Sequence, residues 1–472
     1  MIKIKVLFFC LLLLAANFLL QAEILDSLSV VALDSCLTYL HLTPAELGFE
    51  KTWVKDDTFK LQIVDHLLNN PLDLPEYMEK TADNADSTLE EPTDFLRFAS
   101  TQLDCSALDC EIEYNGDVLT ALQEGMKEAE KSRKAALQDL AEYDLHDLIM
   151  IAPGLWADEE DPDLGSLMGA WQREFGVEAD TSRVVDKNKL LDIIKKIDRS
   201  KLNEAGLIFS QTIWQIYQNT NWENVPFTAP DQDIAGVQGE VLAYLTTDLG
   251  DIVIGGKGDN IYSRDFAVII DLGGDDTYRC RAGGAMGELE NPFSAVIDYA
   301  GNDYYFENDK AVNQGSGFLG CGILIDAAGD DIYQGADYSQ GVGLFGTGIL
   351  YDADGKDDYR CGVFGEAAAN VGIGLLIDKG EGDDRYFAKI WAQGLGSVFG
   401  YAMLCDGGGD DTYRSGGAYY HAPLLPNDFQ SFSHGFGMGW RPRAGGGIGV
   451  LCDKNGNDFY DGEVYCQGSA YW

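Results

Sequence analysis

The residues in this chain with most scope for chemistry are aspartates that return at a fixed interval. The phrase Asp-x-x-Gly-Asp/Asn-Asp-x-Tyr runs from Asp271 to Tyr278 and returns at Asp298 to Tyr305, Asp326 to Tyr333, Asp352 to Tyr359, Asp378 to Tyr386 (one residue longer), Asp406 to Tyr413 and Asp453 to Tyr460. Successive first aspartates are 27, 28, 26, 26, 28 and 47 residues apart. A period of this size marks a solenoid, in which each repeat is one coil packed on its neighbours. Coiling would stack the carboxylates in two rows. One holds Asp271, Asp298, Asp326, Asp352, Asp378, Asp406 and Asp453; the other holds Asp276, Asp303, Asp331, Asp357, Asp411 and Asp458, with Asp383 or Asp384 in the fifth coil. Two unit charges about 5 Å apart repel by roughly 1 kcal/mol in water and roughly 3 kcal/mol at an effective dielectric of about 20. Something must neutralise such rows. Divalent cations, and Ca2+ in particular, suit them, because calcium takes about six to eight carboxylate and carbonyl oxygens in loose geometry. These aspartates, with Asp383 taken for the fifth coil, are the candidate metal ligands. The competing reading is that each Asp caps its own turn by accepting backbone N–H groups while staying solvated.

Other residues carry weaker signals. Tyr262, Tyr278, Tyr305, Tyr333, Tyr359, Tyr386, Tyr413 and Tyr460 form a row whose first use is structural stacking, with a sugar-binding strip as the alternative. Gly315-x-Gly317-x-x-Gly320 and its copy at Gly341 match a dinucleotide fingerprint in letters only, since an apolar strand follows where a helix is required. The segment 414–445 accounts for the 47-residue interval and holds His421, His434, Arg441 and Arg443. If the chain is an enzyme acting on extracellular polysaccharide, a lyase or hydrolase, these four are the candidate catalytic residues, beside aspartates of the adjacent coils. Otherwise the insertion packs over the coil flank. No nucleophile elbow, HExxH or P-loop occurs. A catalytic carboxylate pair should occur once, whereas these recur in every coil.

The chain around these rows divides by composition. Residues 1–22 read as a signal peptide: Lys3 and Lys5 precede the apolar run Val6 to Leu20, and Gln21-Ala22 offers a cleavage point. This predicts export, to the medium, periplasm or cell surface, with no transmembrane span once the signal is removed. Residues 23–220 are Gly-poor, and their periodicity predicts a helical domain with helices over 27–41, 58–69, 93–103, 117–150, 164–175, 186–198 and 202–219. Residues 221–236, with Pro226 and Pro230, read as a linker. Residues 237–472 read as a parallel β-helix or β-roll, in which apolar runs before each Asp are buried strands and Gly-Asp clusters are turns. The period breaks off part-way through a coil, so either another element covers that end or the repeat continues beyond this sequence. Nine cysteines follow the signal; Cys105 and Cys110 are close enough in sequence to pair, and Cys405 and Cys452 share a repeat position that suits an apolar stack. A net charge of −45 argues against nucleic-acid partners and for cations.

Gly255-Gly256-Lys257-Gly258-Asp259-Asn260-Ile261-Tyr262 resembles one RTX nonapeptide, with Asn260 where that family has Asp. Later phrases match at Gly274, Asp276 and Tyr278, at Gly409, Asp411 and Tyr413, and at Gly456, Asp458 and Tyr460. The resemblance implies calcium held between stacked turns of a β-roll. The sequence departs from RTX in having one phrase per coil rather than one every nine residues, and Asp in place of the first Gly. The pattern of 237–472 more closely resembles uncharacterised exported bacterial Gly- and Asp-rich repeat proteins, which implies a β-solenoid and no activity. The reading that follows is an exported, calcium-stabilised solenoid serving as a binding or surface-structural module, whose partner is a cell-surface component or an extracellular polysaccharide.

Overall fold

The computed structural model describes residues 27–49, 57–155, 167, 171–173, 175, 187–307 and 309–471. Residues 1–22, read as a signal peptide, and most of the helix expected over 164–175 lie outside the described residues. No helix among the described residues is long and apolar enough to cross a membrane.

The described helices are α1 (Ser27–Leu40), α2 (Gln62–Asn69), α3 (Leu74–Glu90), α4 (Pro92–Gln102), α5 (Val118–Leu137), α6 (Glu142–Ile151), α7 (Lys187–Ile194) and α8 (Arg199–Asn219). Two differences from the sequence expectation stand out. The stretch 117–150 is two helices, because the Ala141 N–H donates to the Asp144 carboxylate and opens a new N-terminus there. Helix α3, with the sequence LPEYMEKTADNADSTLE, was not anticipated.

Contact density separates two compact units. Of the described residues, one holds 27–49 together with Gln62–Asn84, and within it His66 pairs with Asp73 at 2.8 Å. The other takes in the solenoid, the end of α3 and α4 to α8.

From Val237 the chain winds into a parallel β-solenoid with three sheets of nine, nine and seven strands. Its first turns depart from the parallel pattern: Val237–Gln238 runs antiparallel to Ile261–Tyr262, and Val241–Thr247 forms an antiparallel hairpin with Gly250–Gly255. From there each strand pairs with its counterpart one repeat on. The strand Cys321–Asp326 lies in register between Phe293–Asp298 and Thr347–Asp352, so Asp298, Asp326 and Asp352 are direct neighbours. The same register carries Asp378, Asp406 and Asp453. Alternation along each strand sends Val296, Leu324, Leu350, Leu376 and Leu404 inward, onto the row of tyrosines. Those rings stack with centroids 4.6 to 5.2 Å apart from Tyr262 to Tyr460. Tyr262 to Tyr413 are fully buried, which removes the sugar-strip reading of this row.

The sheet that ends in the first aspartates is covered by the helices of its own unit. Phe209 of α8 packs on Phe293, Trp214 on Tyr351, and Phe95 of α4 on Tyr401. The Tyr351 hydroxyl donates to Leu89 O at 3.2 Å, and Arg133 of α5 donates to Leu319 O at 3.2 Å. The described cysteines are all unpaired, Cys105 and Cys110 included; Cys405 and Cys452 are direct neighbours in adjacent strands.

Candidate functional site

Each coil turns a corner between the strand ending in its first Asp and the strand holding its Tyr, and both carboxylates face the interior at that corner. Asp271, Asp298, Asp326, Asp352, Asp378 and Asp406 are wholly buried. Each of these uses one oxygen locally: Asp326 Oδ1 accepts from the Ala328 N–H at 3.2 Å and Asp406 Oδ1 from the Gly408 N–H at 2.8 Å. The other oxygen reaches back one coil to a tyrosine. The Tyr278 hydroxyl donates to Asp298 at 2.5 Å, Tyr305 to Asp326 at 2.6 Å, Tyr333 to Asp352 at 2.5 Å and Tyr386 to Asp406 at 2.6 Å.

The second row is a ladder between coils. The backbone N–H of Asp276 donates to Asp303 Oδ1 at 2.6 Å, that of Asp303 to Asp331 at 2.6 Å, that of Asp331 to Asp357 at 2.6 Å, and that of Asp357 to Asp384 at 2.6 Å. Asp384 and Asp411 continue it to Asp458. The fifth position therefore belongs to Asp384. Asp383, the residue the sequence reading placed among the ligands, is exposed and pairs with Lys356 at 3.2 Å. The extra residue in that phrase lies before the pair and shifts the count by one. Asp383 belongs instead to a third, outer row that the sequence reading did not separate. There Asp259, Asp275, Asn302, Asp330, Asp383 and Asp410 accept backbone N–H groups from the following coil. The inner ladder accepts from the preceding coil, so the two run in opposite directions.

In the second row, Oδ2 of Asp276, Asp303, Asp331, Asp357, Asp384 and Asp411 is buried and has no hydrogen-bond partner. It lies among first-row carboxylates. Groups such as Asp303, Asp326 and Asp331, or Asp357, Asp378 and Asp384, bring carboxylate oxygens within 4.8 Å of one another. Among the described residues no lysine or arginine bonds to either row; the donors are tyrosine hydroxyls, backbone N–H groups and, at Asp271, the Asn260 amide. Burial first, and neighbouring carboxylates second, push Asp298, Asp326, Asp352 and Asp378 well above the usual carboxylate range. Burial likewise pushes Asp331 up to about 6, Asp411 to about 7 and Asp357 to about 9. The rows can hold divalent cations, and their donor set is all oxygen, as hard cations require.

The first coil shows how the fold closes a corner without a second acid. Asn260 stands in the second row there; its Nδ2 donates to Asp271 Oδ2 at 3.0 Å, while its Oδ1 accepts from the Glu240 N–H at 2.8 Å.

The candidates in the insertion go to separate places. His421 sits edge-on to Tyr465, and Arg441 donates to the Tyr471 hydroxyl at 3.4 Å. Arg443 lies over the Trp440 ring and bonds Asn188. His434 is buried against Tyr460, and burial lowers its pKa to about 4. It occupies a row of corner residues with positive φ: Gln314, Gln340, Glu366, Gln393, His434 and Gln467. Gln340 Nε2 donates to Gln314 Oε1 at 3.0 Å, and Gln393 Nε2 to Glu366 Oε2 at 2.8 Å. This amide ladder was legible as the repeated Gln-Gly before each strand, yet the sequence reading assigned it no role. No protein-family model, curated protein or solved structure matches this chain.

Proposed function

We propose that this protein is an exported, rigid β-solenoid whose interior acidic rows are neutralised by divalent cations, calcium foremost, and which serves as a binding or surface-structural module. The observation that carries this reading is the unpartnered, buried Oδ2 repeated in six second-row aspartates, each facing first-row carboxylates. An oxygen that is dry, negative and without a donor is costly in one coil and far more so when repeated. One divalent cation per coil would balance the two carboxylates of that coil. The Ca2+ would draw on second-row Oδ2 atoms and neighbouring first-row oxygens. Export rests on the charged and apolar start of the sequence.

A second reading has its own support. The two carboxyls of one coil, such as Asp326 and Asp331, bring oxygens within 4.8 Å of each other. A single proton shared between them would also close the corner. Elemental analysis of the purified full-length chain, with thermal melts in calcium, magnesium and chelator, separates the two. Bound calcium and a midpoint that drops by many degrees in chelator support the cation reading. A metal-free protein whose melt ignores all three supports the shared proton.

A further inference from the structure

Among the described residues, no helix covers the outer side of the tyrosine-bearing sheet as helices cover the sheet beside it. Outward residues of the helix-covered sheet, such as Ile323, Tyr351 and Ile377, are buried, but on either side of each inward Tyr this sheet presents solvent-facing side chains. One column runs Phe306, Gln334, Arg360, Phe387, Arg414 and Asp461 in strict register. Beside it Ile332, Asp358, Arg385, Thr412 and Phe459 follow Tyr304. Arginine recurs on this face of a chain that has 33 basic against 78 acidic residues. Aromatic rings alternate with the guanidiniums, and Phe387 is 41 % exposed.

We propose that this face binds an extended acidic polysaccharide, a polyuronate strand laid along the solenoid axis. The proposal deepens the binding-module reading by naming a ligand class. Arg360 and Arg414 stand two rungs apart, about 9.6 Å. An extended 1,4-linked uronan turns every second sugar to the same side, so its carboxylates meet alternate rungs. The guanidiniums are already held. Asp358 takes Nε and Nη2 of Arg360 at 2.6 Å each and leaves Nη1 for a ligand, while Arg414 pairs with Asp461 at 2.7 Å and lies over the Phe387 ring. A ligand carboxylate accepts from the remaining Nη–H groups, and sugar faces stack on the intervening rings. At the edge of the face a cavity of about 500 Å³, lined by Trp171, Gln334, Asp337, Arg360 and Lys389, offers room for a side group and a further cation for its charge. A polynucleotide suits the face less well, since phosphates about 3.4 Å apart along a stacked strand fall out of step with arginines about 9.6 Å apart.

Calorimetric titration of the full-length protein with hexagalacturonate tests this, with cellohexaose and an oligothymidylate as competing ligands. Hexagalacturonate should bind, more weakly as salt rises. Arg360→Gln/Arg414→Gln should weaken binding by about tenfold or more, and Phe387→Ala should weaken it severalfold. Lys127→Gln/Lys131→Gln on the exposed side of α5 makes the same charge change elsewhere and should leave affinity intact. Near-ultraviolet circular dichroism confirms that each variant is folded. Absent binding, equal binding of cellohexaose or oligothymidylate, or indifference to the arginine pair would overturn the proposal, as would an equal loss from the lysine pair. A metal-free solenoid that still binds uronate through its arginines would sink the cation reading and leave this one standing.

Discussion

Within each coil two carboxyls five or six residues apart play unequal parts, and substitution can tell them apart. Asp331 Oδ1 holds the Asp303 N–H while its Oδ2 has no donor. Asp331→Ala removes the acceptor and leaves a buried N–H unpaired, at a cost of about 1–3 kcal/mol. Asp331→Asn keeps the acceptor and turns N–H groups toward the neighbouring carboxylate, as Asn260 already does in the first coil. Thermal melts in chelator at pH 8 should therefore show the alanine variant below the parent and the asparagine variant at or above it. Both should respond less to calcium. A second residue-scale test concerns Glu366, which burial pushes up to about 8 and which interrupts the amide ladder above Gln340, whose Oε1 lacks a partner. Glu366→Gln gains a donor for Gln340 but loses an acceptor for the Phe387 N–H or the Gln393 amide, so it should chiefly lessen the fall in midpoint above pH 8, where the buried acid would otherwise ionise. The repeating Asp and Tyr were plain in the sequence. Which oxygen of each Asp is satisfied was not, because that depends on the register of backbone N–H groups from another coil. The same blindness gave Asp383 the place of Asp384: in the turn before the strand Arg385–Ala388 one of the adjacent carboxylates is exposed and the other buried.

At the scale of elements, the turns set the spacing of the coils. At Gly301 an added Cβ would lie 1.6 Å from the Gly274 carbonyl oxygen of the preceding coil, and φ is +152°. Gly301→Ala should force the two coils apart and lower the denaturation midpoint by several kcal/mol of stability, measured by urea titration. The strands themselves were legible, since a buried parallel strand reads as a short apolar run before a turn. The antiparallel start at Val237 was not, because its alternation resembles any other strand in composition. The outward face of the tyrosine sheet was hidden as well: its arginines and rings are scattered along the sequence and meet only when coils stack.

At the scale of the whole molecule, the acidic interior links stability to pH and metal together. Carboxyls with folded pKa values raised above their unfolded value hold more protons folded than unfolded. Without metal, stability should be greatest near pH 4 to 5 and fall as pH rises through about 6 to 9, the range spanned by Asp331 and Asp357. Calcium competes with those protons, so its stabilisation should grow over the same window and vanish near pH 5. Melts at pH 5 and pH 8.5 with and without calcium check this; a calcium effect equal at both pH values would contradict it.

The helices that lie across the coils bear on how the structure comes apart. A bare stack of repeats can fray from either end, one rung at a time. Here α8 reaches strands at Phe293 and Tyr351, and α3 with α4 reaches those at Tyr351 and Tyr401, so the helical layer fastens successive rungs like a splint. Under mechanical load, rungs beneath the splint should yield together in one large extension, whereas a stack without it would release about 90 Å for every 27 residues.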